Sequence, residues 1–172
     1  MRKTVKPGSG GVALDISQCV LFSLDEKLYG LRLSAVSRVV PAVEITPLPK
    51  APSIVLGVIN LAGRIIPVVN VRRRFRLPER ELQPADKLIV ARTSRPGAAD
   101  GLLLALAVDA VEGVADLSGH QTIAAEAILP GLEHLEGVAK TDRGIVLIHD
   151  LGTFLSLEEE KALGAALPEE RG

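Results

Sequence analysis

GVINLAGRIIPVVNVRRRF, residues 57 to 75, reads as an ordered run of structural devices. Val58 to Leu61 is a short apolar run of strand type, Ala62-Gly63-Arg64 is a turn, and Ile65 to Val69 resumes with β-branched residues. Two such runs around a short Gly-containing turn predict a β-hairpin. Gly63 supplies positive φ at little steric cost. Pro67 has no N–H to give a ladder, which predicts an edge or a bulge at that point. Asn70 is placed to cap one helical turn over Val71 to Phe75, its side chain accepting backbone donors. Nothing in the stretch is a catalytic motif.

The chain of 172 residues fits one domain or two small intertwined lobes. A chain this long buries about 70% of its unfolded surface and needs no staples. Hydrophobic residues make up 47% but aromatics only 2%, so the core must be built from Val, Ile, Leu and Ala. A single cysteine, Cys19, excludes an internal disulfide and agrees with a reducing compartment. It lies in an apolar run and reads as a buried, inert thiol. The N-terminal MRKTVKPGSGG has no apolar signal core, and no run approaches the roughly 18 apolar residues of a spanning helix. The expected localisation is cytoplasmic. Net charge is −1, but residues 1–99 hold sixteen Lys and Arg against seven Asp and Glu, whereas residues 100–172 hold four against fourteen. Such asymmetry either steers a charged partner or reflects which face is solvated.

In chain order, residues 1–14 are Gly- and Lys-rich and are expected to form a flexible tail. Gln18 to Leu24 is the first strand, Asp25-Glu26-Lys27 a polar turn, and Leu28 to Leu33 the returning strand. Ser34 is placed to cap a helical turn over Ala35 to Arg38. Four prolines, Pro41, Pro47, Pro49 and Pro52, then make a rigid surface connection. Lys87 to Arg92 is a strand, SRPGAADG a turn, and Leu102 to Val108 a run suited to burial on both faces. Asp109 to Leu117 continues as a strand, with Gly113 marking a bend or bulge. Ser118 to Leu132, with Pro130-Gly131, is a loop. Leu135 to Lys140 and Gly144 to His149 form a hairpin, and Asp150 is placed to cap a final helix through Leu151, Phe154, Leu155 and Leu157. That helix runs into Glu158-Glu159-Glu160, and residues 158–172 read as an acidic C-terminal helix or tail, with an apolar stripe at Leu157, Leu163 and Leu167. About ten short strands and few helical periods predict an all-β architecture of two small barrels.

His120, His134 and His149 lie far apart without His or Cys companions at ligand spacing, so no metal site is expected. No Ser/His/Asp set or nucleophile elbow is present, and no Gly-rich loop joins a strand to a helix as a phosphate cradle requires. Asp109 and Glu112, three apart on a strand, point to opposite faces and make no acid–base pair. No enzymatic activity and no cofactor are expected. Arg72, Arg73, Arg74 and Arg76, with Arg80 beyond, form the sharpest charged feature. They read either as a basic patch for an acidic partner or as solvated stems over apolar surface. Nucleic acid is not expected, because only Phe75 is near enough to stack on bases.

The 57–75 stretch resembles the signature of the CheW-like coupling proteins, which usually reads close to GVINLRGxIxPVxDLRxxF. Gly57, Val58, Ile59, Asn60, Leu61, Gly63, Ile65, Pro67, Val68, Arg72 and Phe75 match in register. The resemblance extends from about Cys19 to Phe154 and places a CheW-like domain over residues 15–157. Two departures stand out: Ala62 replaces the family's arginine, with Arg64 following, and Asn70 replaces its aspartate. The resemblance implies two SH3-like five-stranded barrels packed around a shared apolar core, with short helices. It also implies a non-catalytic adaptor joining chemoreceptor signalling tips to the regulatory domain of a CheA-type histidine kinase, meeting the membrane only through the receptors. Receptor contact is expected at Val36, Arg38, Val39, Asn60, Ala62 and Arg64, and kinase contact at Asp109, Ala110, Val111, Glu112 and Val114. A second reading is an SH3-like protein- or RNA-binding module of another signalling or motility pathway, for which Ala62 would mark a changed partner.

Overall fold

Strand alternation divides the apolar side chains of this chain among three clusters. Along β1 (Gln18–Leu24), Cys19 and Leu21 enter one cluster while Val20, Phe22 and Leu24 enter another. The two-residue period of a strand requires that split. β7 (Leu103–Val108) repeats it: Leu104, Leu106 and Val108 join the second cluster, and Ala105 a third. The apolar run ending at Val108 is thus buried on both faces, as its composition implies.

The computed structural model describes residues 17–93, 101–118, 122–124 and 135–167. The tail at 1–14, most of SRPGAADG, Pro130-Gly131, His120, His134 and the last acidic residues lie outside them. The other strands are β2 (Lys27–Arg32), β3 (Val36–Pro41), β4 (Val55–Leu61), β5 (Arg64–Val69), β6 (Lys87–Arg92), β8 (Ala110–Asp116), β9 (Thr122–Ala124), β10 (Leu135–Thr141) and β11 (Gly144–His149). One sheet runs β8-β1-β2-β11-β10-β9 and the other β3-β6-β7-β5-β4. The chain ends therefore build one lobe and its middle the other. Neighbours are antiparallel except β2–β11 and β5–β7, the parallel pairs that join segments far apart in sequence.

Each sheet curls around its own small interior. Cys19, Leu21, Leu117, Ala139, Val146 and Ile148 fill the six-stranded lobe. Ile59, Ile66, Val68, Leu88, Val90 and Ala105 fill the five-stranded one. Between them lies the largest cluster, shared by both lobes. The chain's three Phe and one Tyr all meet there. Phe22 stacks on Tyr29 at 5.6 Å, Tyr29 on Phe75 at 5.0 Å, and Phe75 meets Phe154 edge-on. His149, at the end of β11, lies flat on Phe75 with ring centroids 4.1 Å apart. Few aromatics suffice because they are concentrated where the lobes join. The architecture is the expected all-β pair around a shared core, with eleven strands among the described residues rather than about ten, and six in one sheet where five were expected.

Several local expectations are corrected. The extra strand, β9, lies in the segment read as a loop and owes its form to pairing with Gly137–Ala139 of β10, a contact invisible locally. The helical turn expected over Ala35 to Arg38 is a 3-10 turn at Leu33–Ala35 with no side-chain cap. Val36, Val39 and Val40 instead extend into β3, where ladder pairing with β6 outweighs the capping preference of Ser34. The final helix is divided: Asp150 caps only a 3-10 turn at Leu151–Thr153. A helix at Leu157–Ala166 then starts on its own capping box, Ser156 with Glu159, and buries Leu163 in the shared core. On β11, Leu147 is half-buried against the shared core while its neighbours Val146 and Ile148 fill the six-stranded lobe, although an apolar residue in the middle of that strand reads as interior.

Pro67 sits on an inner strand, not at an edge. Val58, its partner on β4, spends both backbone groups on Thr46, at 2.8 and 2.9 Å. Pro67 therefore owes β4 no hydrogen bond, and the β5–β7 ladder begins one residue later, at Val68. Gly113 does mark a bulge. Leu21 faces Gly113 and Phe22 faces Val111, which leaves Glu112 as the extra residue. Cys19 is fully buried, and burial pushes its thiol up to about 11, the inert state expected.

Candidate functional site

The Ala62-Gly63 turn joins β4 to β5 with both central residues at positive φ, 52° and 87°. That is the twist-matched two-residue hairpin turn. The Asn60 side chain steadies it by accepting the Gly63 N–H at 3.0 Å. Asn60, Ala62 and Arg64 are all exposed there. Ala62 stands in the left-handed region and Arg64 in the strand, so the same-face rule for residues two apart does not apply. Val36, Arg38 and Val39 lie on β3, where Ser37 is a one-residue bulge. Arg38 is exposed, Val39 is 40% exposed, and Val36 packs partly against the shared core. β3 and β4 are the two edges of the five-stranded sheet, yet Val40 and Leu61 pack on the same interior cluster. Curling brings the edges around one interior. Arg38 and Arg64 have no ion-pair partner among the described residues.

Ala110, Val111, Glu112 and Val114 form β8, the outer strand of the six-stranded sheet. Val114 is 57% exposed, and the Glu112 bulge accepts from Ser23 Oγ at 3.0 Å and Arg143 Nη2 at 3.1 Å. Asp109, with its side chain 24% exposed, is the meeting point of two arginines.

The expected basic patch dissolves into ion pairs. After Asn70, whose side chain accepts the Arg73 N–H at 3.0 Å, a helical turn over Val71–Arg74 (α1) sends successive arginines in three directions. Arg72, with its side chain only 9% exposed, donates to Asp25 at 2.8 and 3.2 Å, to both Asp109 oxygens at 2.9 Å and to the Pro78 carbonyl. Arg73 forks onto Glu79 and reaches the Ser53 carbonyl. Arg74 pairs with Glu159 at 2.6 Å, so the acidic tail supplies a partner inside the domain. Arg80 grips Asp86 at 2.8 and 2.9 Å and Asp109 at 2.6 Å. Arg76 alone of the expected patch has no such partner among the described residues. A cleft of about 440 Å³ opens over the network, with Ile45, Leu56 and Leu82 on its apolar wall.

Asp25, Asp86 and the Arg32–Glu136 pair were missed by sequence reasoning, and Arg80 was read only as part of the charged stretch. The signal was there in the charge asymmetry. Arg32 with Glu136, Arg72 and Arg80 with Asp109, and Arg74 with Glu159 all join the basic half to the acidic half.

These contacts set an acid limit on stability. Arg72 donation holds the Asp25 carboxyl below its ordinary 3.8, and Arg73 with Asn70 lowers Glu79. Burial pushes Asp86 and Glu159 up, but Arg80 and Arg74, with backbone donors, reverse that and leave both low. A carboxyl depressed in the folded state stabilises above its unfolded pKa and loses that contribution as pH falls through the folded value. The urea midpoint is expected to be flat above about pH 5.5 and to fall below about pH 4.5. Stability that rises between pH 5 and 4 would contradict the network.

A model of the CheW-like domain matches residues 18–159. The chain belongs to the CheW-like family. It is similar to the chemotaxis protein CheW of Thermotoga maritima, 31% identical over 143 residues that cover 83% of this chain and 90% of that one. The CheW of Treponema pallidum is 27% identical over 148 residues, covering 85% and 86%. Among solved structures, the scaffolding protein TtCheW of Thermoanaerobacter tengcongensis superposes with a TM-score of 0.70 at 32% identity, over 84% of this chain and 95% of that one. Members of the CheW-like family are non-catalytic adaptors of chemotaxis signalling, and this chain is such a coupling protein. No helix among the described residues is long and apolar enough to cross a membrane.

Proposed function

We propose that this CheW-like protein bridges a chemoreceptor signalling tip and the regulatory domain of a CheA-type histidine kinase in the cytoplasm, meeting the membrane only through the receptor. The observation that carries this reading is the presence of two exposed surfaces, one on each sheet of the CheW-like domain. The receptor side is β3 with the β4–β5 turn: Val36, Arg38, Val39, Asn60, Ala62 and Arg64. The kinase side is the outer strand β8, with Ala110, Val111, Glu112 and Val114. Binding of a receptor tip fragment and a kinase regulatory domain, each measured separately by calorimetry, tests it. Failure of both to bind would defeat it.

The receptor side also rests on a charge argument. Arg64 stands one position past Gly63, exposed and without an ion-pair partner among the described residues, and a guanidinium on a long stem tolerates a displaced root while forking onto a carboxylate. Arg64→Ala is expected to weaken receptor-tip binding by about 1–3 kcal/mol, as loss of an interface anchor does, without unfolding the domain. Ala62→Arg meets the same positive φ that Ala62 already adopts and is expected to leave binding unchanged or stronger. Unchanged affinity for Arg64→Ala would sink the substitution of one arginine by the other.

A further inference from the structure

We infer that the part-buried ion-pair network converging on Asp109 couples the two partner surfaces, so that occupation of one alters the affinity of the other. The inference rests on the partner assignment above. Its basis is how the network attaches to the strands. Asp109 is the residue directly before β8, the strand assigned to the kinase. Two arginines reach its carboxylate from the five-stranded lobe, and each leads to a different part of the receptor-facing surface.

Arg72 comes from α1, which follows β5 after the single cap residue Asn70, and β5 begins at Arg64 of the turn. Its Nη2 lies 2.9 Å from both Asp109 oxygens. Arg80 meets Asp109 Oδ1 at 2.6 Å and holds Asp86 with both of its Nη atoms. Asp86 is the residue directly before β6, the ladder partner of β3, and its carbonyl accepts the Ala42 N–H at 3.1 Å just past the end of β3. The route from β3 to β8 therefore has three side chains, Asp86, Arg80 and Asp109. A third contact comes from the six-stranded lobe itself: Asp109 Oδ2 accepts the Asp25 N–H at 2.9 Å, and the Asp25 carboxylate returns to Arg72.

The geometry makes this a discrete joint. The Arg72 side chain is 9% exposed and that of Asp86 7%. A shift of β8 relative to β3 must either carry Arg80 and Asp86 along or break the Arg80–Asp109 pair, whose side chains are 29% and 24% exposed, and loosen Arg80 from the buried Asp86, which is costly because water reaches Asp86 poorly. Contiguous charged contacts between rigid elements are a physical means of carrying coupling between sites. By contrast, the Arg73–Glu79 pair is 44% and 47% exposed and touches neither Asp109 nor a strand of the opposite lobe. It is the natural control. Arg80 is a positioning residue in this scheme, acting through Asp109 and Asp86 and touching neither partner.

The test is a linkage measurement on the full chain with two probes from one bacterium: a chemoreceptor signalling-tip fragment and the regulatory domain of its CheA-type kinase. Kinase-domain affinity is measured with and without saturating receptor fragment, for the parent, Arg80→Met and Arg73→Met. The parent is expected to show a coupling factor of roughly five-fold or more, within the usual range for linked sites. Arg80→Met is expected to bring the factor to within about two-fold of one while both binary affinities stay within about two-fold of the parent. Arg73→Met is expected to keep the parent's factor. A parent factor of one, or an Arg80→Met variant that keeps the parent's factor, would overturn the inference while leaving the partner assignment intact. Loss of coupling in both variants alike would assign the effect to general loosening and overturn it too. Absence of binary binding by the parent would instead remove the partner assignment on which the inference stands.

Discussion

Gly57→Ala is expected to destabilise the domain by about 3–5 kcal/mol, from backbone strain, overpacking and two threatened hydrogen bonds together. Gly57 has φ +153°, and a Cβ there would stand 2.3 Å from the Thr46 carbonyl oxygen and 2.8 Å from Ile45 Cγ2. The obstacle is backbone, which cannot swing aside as a side-chain tip can. It is also backbone in use: Thr46 exchanges both hydrogen bonds with Val58, the next residue. Gly57 further closes the one-residue bulge at Leu56, where Val55 pairs with Val69 and Gly57 with Val68. Urea unfolding of the variant measures the cost, and a loss under about 1 kcal/mol would mean β4 carries a different backbone. Gly63 offers the contrast within the same motif. Its φ is +87° but nothing lies within 4 Å of its would-be Cβ, so Gly63→Ala should cost only the left-handed penalty of about 1–2 kcal/mol.

The second large effect is expected at Leu104→Ala, at about 2–5 kcal/mol from lost transfer energy plus the cavity left behind. Leu104 is fully buried in the middle strand of the five-stranded sheet, opposite Ala91 of β6 and facing the core shared by the lobes. Neighbouring strands hydrogen-bonded on both sides limit how far the site can collapse. Leu147→Ala on β11 is the comparison, because Leu147 only half-buries against the same core. Its loss should be clearly smaller. Equal effects at the two positions, or less than about half a kcal/mol at Leu104, would misplace the shared core.

Acid unfolding adds an independent check on the ion pairs. If Arg80→Met flattens the fall in stability below about pH 4.5, then the depressed carboxyl of Asp86 is a source of it. Depressed groups elsewhere, Glu79 and Glu159, should keep part of the slope in that variant.

Much of the fold was legible in residues 57–75 and in strand alternation, for local reasons. Positive φ at Gly63, the Asn70 side chain capping its own helix, and period-two burial on β1 and β7 depend on residues a few positions apart. So does the hairpin of β10 and β11. The apolar composition with four aromatics required aliphatic interiors, and the structure has them. Those features are set by chain sterics and side-chain chemistry before any distant contact forms.

What only the tertiary structure decided is the use of the charges and the breaks in the ladders. Three consecutive arginines look like a patch in one dimension. Their carboxylate partners lie 47 residues away at Asp25, 37 at Asp109 and 85 at Glu159, with Glu79 the one near in sequence among the described residues. The single extra residues Ser37, Leu56, Glu112 and Glu136 follow from register between strands, and two of them aim carboxylates at Arg143 and Arg32. β9 forms because β10 offers it an edge, and Ser34 fails as a cap because β6 offers Val36 to Val40 a ladder. A charge or a backbone donor takes whichever partner the fold brings within about 3 Å. That choice is made by the packing of two lobes, one built from the outer parts of the chain and the other from its middle, and no short stretch contains it.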